Sequence, residues 1–299
     1  MTGGAGYIGA MLCDYLLGAG HQVIVLDNFR HGVPSLSHLF ARGLKIVRGD
    51  VRVTCVVKAA IAGADVVIPL AGIVGARQCD EDPVAAETTN TMAVKSIMLL
   101  KDKDQRVLFP NTNSGYGTSG EPVCTEESEL KPISLYGRTK HDAERLVMIA
   151  PNSTVFRLAT AFGMSSRMRW SLLVNQFCFR AIHERSIVLF EPEARRNYVH
   201  VRDVARAFVW AIENPALTAG QVFNLGLDEA NMTKRQLAEK IAIHTEFYIT
   251  DAPFASDPDK RDYYVSSQKL YSTGFKPTCG VDEGIKEVLS GARQFSSLD

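Results

Sequence analysis

Gly3-Gly-Ala-Gly6-Tyr-Ile-Gly9 opens the chain almost at once, preceded only by Met1 and Thr2 and followed directly by a helical stretch near 8–19. Glycines at this spacing let a backbone turn tightly, approach a pyrophosphate closely and pack a helix on a strand, with the helix N-terminus facing the phosphate charge. Plain turns use glycine too, so the pattern gains weight only from its surroundings. The run 23–26 reads as a strand, and it ends at Asp27, 18 residues beyond Gly9. That is close to the spacing of about 20 at which a carboxylate meets the ribose hydroxyls of a dinucleotide. Such a carboxylate accepts from a 2′-hydroxyl and repels a 2′-phosphate, so the expected cofactor is NAD rather than NADP. The candidate cofactor contacts here are Gly3, Gly6, Tyr7, Ile8, Gly9, Asp27 and Asn28. The apolar strand that should precede the turn is nearly absent. Either Met1 is a late start on a longer natural protein or the first strand is missing.

Working outward, short β-branched runs at 23–26, 45–47, 65–70, 106–109 and 154–158 alternate with helical stretches near 8–19, 53–62, 84–101 and 136–149. Alternation of this kind specifies an α/β fold built on a Rossmann-type doubly wound parallel sheet. Asp50 and Val51, after the second run, are placed near the adenine, although Asp50 also reads as the N-cap of the next helix. Leu70 and Ala71, at the end of the third run, complete the expected cofactor lining. Beyond about 159 the alternation gives way to arginine-rich loops, short strands and helices such as 203–213 and 233–243. The expected organisation is a cofactor domain over 1–158 and a smaller substrate-binding lobe over 159–299, with late sheet elements interleaved.

The 299 residues are 46% apolar and 22% charged, with Lys and Arg balancing Asp and Glu. The chain can therefore bury a sizeable core, and no overall basic field draws it to nucleic acid or anionic lipid. No apolar run approaches the length of a membrane span, and the expected setting is cytoplasmic. Six cysteines are scattered without a C-x-x-C pair or a Cys/His cluster, which argues for reduced thiols and no metal.

Tyr136-Gly-Arg-Thr-Lys140 sets a phenol and an ammonium on one face of a helix. A phenol with a pKa near 10 is a poor base at neutral pH. A lysine one turn away, with the positive nicotinamide ring, stabilises the phenolate and makes proton transfer available.

With these motifs the chain resembles the extended short-chain dehydrogenase/reductases over essentially its whole length: 2–9, Leu26-Asp27-Asn28, Gly49-Asp50-Val51, Tyr136 to Lys140, and Arg196-Asn-Tyr-Val-His-Val-Arg-Asp203 all match. The resemblance implies a third catalytic residue, Thr112, in Asn111-Thr-Asn-Ser-Gly-Tyr-Gly117, and a homodimer pairing the helices near 84–101 and 136–149. Pro110 to Gly117, Cys124 to Ser128, Phe156 to Thr160, Arg195 to Val201 and Asp257 to Asp262 are similar to bacterial GDP-manno-heptose 4-dehydrogenases, which implies a GDP-sugar oxidised at carbon 4. A nucleotide sugar brings a diphosphate, suited to bidentate guanidinium groups. Arg196 and Arg261 fall at the family's diphosphate-binding positions, and Arg167 and Arg169 are candidates to extend the clamp. Asn113, Ser114 and Asn175 are candidate sugar or phosphate contacts, as is Thr160, where many relatives carry asparagine. His200 reads as structural.

A 4-epimerase, which returns the hydride after the sugar rotates, shares the first half-reaction and stays open. A 4,6-dehydratase is disfavoured because Asn113 and Ser114 stand where its second acid–base carboxylate commonly falls. A non-catalytic NAD-binding regulator is disfavoured because the tyrosine–lysine pair is retained.

Overall fold

Met1, Thr2 and Gly3 stand where a first strand belongs. In this computed structural model, which describes residues 1–30, 35–118, 120–252 and 261–295, Thr2 bridges in parallel to Leu26 on one side and Pro69 on the other. The Thr2 amide donates to Ile68 O at 3.0 Å, Gly3 N to Leu26 O at 2.8 Å, Leu26 N to Met1 O at 2.9 Å and Leu70 N to Thr2 O at 3.1 Å. Three residues thereby join two parallel sheets that would otherwise present bare edges to each other.

The strands are β1 (Ile24–Asp27), β2 (Lys45–Arg48), β3 (Val66–Val67), β4 (Arg106–Thr112), β5 (Thr154–Leu158), β6 (Thr160–Phe162), β7 (Ser186–Leu189), β8 (Arg195–Arg196), β9 (Tyr198–His200), β10 (Gln221–Leu225), β11 (Met232–Thr233) and β12 (Tyr248–Asp251). β1 pairs with β2, and β3, β4, β5 and β10 follow one another in space, all parallel. With residues 1–3 inserted, the order β2, β1, 1–3, β3, β4, β5, β10 reverses direction at the stub. A crevice for a ligand opens at the carboxyl ends of strands at such a switch point.

Alternation along β4 and β5 divides the core between the two sheet faces. Leu108 and Phe156 join Leu12, Leu16 and Phe208 on one face. Phe109 and Val155 join Val57, Ile97 and Val147 on the other. The strand β10 and the helix Val201–Glu213 belong to this sheet assembly although they come late in the chain. A separate core of Phe162, Trp170, Phe179, Leu237 and Val288 holds the C-terminal elements, around the small pairings β6 with β9, β8 with β11 and β7 with β12.

The structure corrects three local readings. The run 65–70 is strand only at Val66–Val67, because Ile68 to Leu70 are taken up by the stub and Pro69 has no N–H to give a ladder. The helix expected over 84–101 is three pieces, with a π-turn at Thr88–Met92 between Pro83–Glu87 and Ala93–Leu100. There the Thr88 hydroxyl donates to Val84 O at 2.7 Å and the Asn90 side chain leaves to bind Ile73, so the ladder widens. Asp50 is not a helix N-cap: Val53 holds that place without a side-chain bond, and Asp50 pairs with Arg52.

Gly9 is closely confined within the turn itself. A Cβ there would lie 2.6 Å from Gly3 O and 2.7 Å from Gly4 Cα, both backbone atoms that cannot rotate away. Gly9→Ala should cost about 1 to 3 kcal/mol, the range for forced overpacking, read as a lower urea midpoint. An unchanged midpoint would show that the turn relaxes freely.

Candidate active site

The buried stripe of the helix Leu135–Val147 runs Lys140, Ala143, Glu144, Val147. Two charges within an apolar stripe need a reason, since burying an ammonium or carboxylate is costly. Ser134 caps the helix by accepting from Gly137 N at 3.1 Å, which fixes the first turn and with it Tyr136.

Lys140 lies with Nζ 3.9 Å from the centre of the Phe109 ring and makes no hydrogen bond or ion pair among the described residues. Burial pulls its pKa down to about 7, with Glu144 acting the other way. The Tyr136 phenol is raised by loss of solvent; Arg169 and Arg261 oppose that, Cys79 adds to it, and a hydrogen bond with Thr112 opposes it again. In the ligand-free chain Arg169 and Arg261 are the cations with the larger effect on the phenol, and Lys140 rests one helical turn away on Phe109.

Thr112 ends β4, and its hydroxyl lies 2.9 Å from Ser114 Oγ and accepts from Ser114 N at 3.1 Å. Arg261 donates from Nη1 to the same Ser114 hydroxyl, and Arg196, buried, donates to the main-chain oxygen of Arg261. The structure thus brings Thr112, Ser114, Tyr136, Arg196 and Arg261 into one cluster. Asn113 is buried, and neither end of its amide finds a hydrogen-bond partner among the described residues. The neighbouring segment 257–260, part of the quoted Asp257 to Asp262 motif, lies outside the described residues.

Other expected contacts fall elsewhere. Asn175 is fully buried, its oxygen accepting from Gly163 N and its nitrogen donating to Arg169 O, both at 3.1 Å, so it braces a loop and is not offered to a ligand. Tyr7 turns its phenol away to Gly163 O at 2.8 Å, leaving only its amide at the helix start. Arg169 donates to Val74 O at 2.9 Å and has no carboxylate partner among the described residues; its position beside Tyr136 sets it at the reacting end rather than in a cluster with Arg196. Arg167 bonds its neighbour Met168 O at 3.2 Å. Thr160 is half-buried at the start of β6, its amide donating to Asn197 O at 2.9 Å.

The cofactor end offers what a dinucleotide needs. Gly6 caps the helix Tyr7–Gly18 with no side-chain bond, leaving the first-turn amides of Tyr7 and Ile8 to the cleft. A Cβ on Gly3 would strike Ala71 N at 2.5 Å, so the turn sits flush against Leu70 and Ala71. Asp27 accepts from Ala5 N at 3.0 Å and Phe29 N at 2.8 Å, one bond per oxygen, and keeps lone pairs for two hydroxyls. Asp50 and Asn28 lie at the far end, Asp50 held below the usual carboxylate range chiefly by Arg52, with Val51 buried behind. These groups fit NAD.

Sequence reasoning missed Asn90, which ties Ile73 to the helix Leu135–Val147 through Thr139 Oγ1 at 3.1 Å, and the buried Arg157–Glu144 pair. His200 is fully buried and caps the helix Val201–Glu213, as its strand-like setting suggested. No helix among the described residues is long and apolar enough to cross a membrane.

Residues 1–226 match the NAD dependent epimerase/dehydratase family, and the chain belongs to it. UDP-glucuronic acid decarboxylase 1 of Arabidopsis thaliana is 28% identical over 310 residues, 98% of this chain and 69% of that protein. UDP-glucose 4-epimerase of Corynebacterium glutamicum is 24% identical over 255 residues, 79% of this chain and 77% of that protein. The crystal structure of Thermus thermophilus UDP-glucose 4-epimerase in complex with NAD has a TM-score of 0.84 at 24% identity, covering 98% of this chain and 97% of that one. The chain is therefore an NAD-dependent, nucleotide-sugar-modifying enzyme with a Rossmann-type fold.

Lys140 gives the site a stability signature. With its folded pKa pulled to about 7, the cost of burying the ammonium is fully present below that pH and fades as pH rises toward the unfolded value of about 10.4. Lys140→Met should therefore stabilise the ligand-free protein at pH 6, by about 1 to 3 kcal/mol, with the gain shrinking above pH 7. A variant less stable than the parent at pH 6 contradicts the assignment.

Proposed function

We propose that this enzyme oxidises the carbon-4 hydroxyl of a nucleotide-diphosphate sugar, with Thr112, Tyr136 and Lys140 as its catalytic set. The observation that carries this reading is the convergence of the Thr112 and Ser114 hydroxyls and the Arg261 guanidinium on Tyr136, one helical turn from an unpartnered buried lysine. Tyr136 removes the hydroxyl proton, Thr112 shares the hydrogen bond that orients the hydroxyl, and Lys140 supplies a cation that favours the phenolate. When bound, NAD would supply the hydride acceptor for carbon 4. Asp27 selects it over NADP by the carboxylate it presents, and Arg196 and Arg261 are assigned to the diphosphate.

A 4-epimerase is the favoured outcome: UDP-glucose 4-epimerases stand among both the sequence relatives and the structural neighbours. A second reading, a GDP-heptose 4-dehydrogenase that releases the ketone, rests on the motif resemblance from Pro110 to Gly117. Neither outcome eliminates water. Asn113 and Ser114 are not bases, and Glu126 is bound to Asn224 N at 2.6 Å. A homodimer through the helices near 84–101 and 136–149 is part of the proposal, supported by the exposure of Val84, Met92, Leu99 and Ile149 along them.

Tyr136→Phe should lower turnover by about 10² to 10⁴, the range for a positioned acid–base group, while NAD still binds. With UDP- and GDP-sugars as substrates, the product should have unchanged mass or two hydrogens fewer. Loss of one water in the product, or a fully active phenylalanine variant, overturns the reading.

A further inference from the structure

Behind the catalytic groups lies a buried polar chain that the reaction as described does not use. Glu144 follows Lys140 by one turn on the same helix face, and both are buried. Its carboxylate receives Arg157 Nη2 at 2.7 Å on one oxygen, Arg157 Nε at 3.2 Å on the other, and the Asn111 amide. Arg157 continues from Nη1 to Tyr116 Oη at 3.0 Å and Glu126 O at 3.1 Å. Tyr116 donates in turn to Asn224 Oδ1 at 2.7 Å on β10. The chain thus touches β4 just before Thr112, the turn just after it, and the catalytic helix one turn beyond Lys140.

A carboxylate buried beside a lysine at i, i+4 spacing ordinarily captures it. Here Lys140 has no ion pair among the described residues, while Glu144 is held from the opposite side by Arg157 and Asn111. We propose that Arg157 is a positioning residue: by holding Glu144 it leaves the Lys140 ammonium free to serve Tyr136 and the cofactor. This rests on the catalytic role proposed for Tyr136. The charged or titratable groups bearing on Tyr136 are Arg169 and Arg261 from the C-terminal segment and Cys79 from the helix Ala76–Glu81; Glu144 is the one bearing on Lys140.

The test needs no sugar. In the NAD complex, the ultraviolet phenolate signal present in the parent and absent in Tyr136→Phe reports Tyr136. Removing Arg157 lets Glu144 draw Lys140 away, so in Arg157→Met this signal should move to higher pH by about one unit or more, the effect of losing a nearby opposite charge. NAD should bind about tenfold more weakly, as for one lost hydrogen bond to a charged group. In Arg157→Met with Glu144→Gln, no carboxylate remains to capture the lysine, and both readouts should return to parental values. Replacing both members of a buried pair is tolerated where breaking it is not, so the double variant stands as a test if the single one does not fold. A purely structural Arg157 gives an unmoved signal in the folded single variant, or a double variant displaced like the single one, and either overturns the proposal. A parent with no signal assignable to Tyr136 would instead overturn the catalytic reading itself.

Discussion

The parallel ladder through Met1, Thr2 and Gly3 is the constraint on which the rest depends. β1 carries Asp27 and β3 leads to Leu70 and Ala71, and these two edges meet only across the stub. The same residues start the glycine turn, so the register of the sheet and the placement of the helix Tyr7–Gly18 are set together. Gly3 is pressed against Ala71 and Gly9 against Gly3, and the turn has one place to lie. Tyr7 then carries the constraint across the cleft, its phenol reaching Gly163 O and its carbonyl accepting from Ser165 Oγ, both at 2.8 Å. The cofactor crevice and the C-terminal elements are fastened to one another through that residue.

Within this frame the charges are arranged unequally. Glu144 and Arg157 are buried and paired with each other, while Lys140 rests on an aromatic ring and Arg169 on a main-chain oxygen and the Ser171 hydroxyl, neither with a carboxylate ion pair among the described residues. Pairing the first couple offsets the cost of burying its charges; leaving the second couple without carboxylates costs stability and leaves two cations near Tyr136. Arg261 lies in both worlds, on the Ser114 hydroxyl beside Thr112 and joined by its carbonyl to Arg196.

The parallel sheet was legible because short β-branched runs and helical stretches alternate, and because Asp27 closes its strand at a diagnostic distance from Gly9. The span of β5, Thr154–Leu158, follows from a run that is β-branched or apolar at every position but Arg157. The π-turn was not legible: it arises from Asn90 binding Ile73, a contact between residues 17 apart that no periodicity encodes. Tyr136, Lys140 and Thr112 could be found by spacing and resemblance. The direction of the arginines could not, since Arg167 and Arg169 look alike in sequence and only tertiary packing turns Arg169 toward Tyr136. Asn175 misled for the same reason: an asparagine opening a helix reads alike whether it faces a ligand or braces Gly163. Arg157 sits in an apolar strand where its partner, 13 residues earlier, is on another element.

The proposed passage of hydride from carbon 4 to NAD beside Tyr136 is read by isotope tracing during turnover. UDP-glucose carrying deuterium at carbon 4 should pass its label to the nicotinamide ring during turnover and recover it in a sugar product of unchanged mass. Product formed while the label stays out of the cofactor, or is lost to water, would contradict the account.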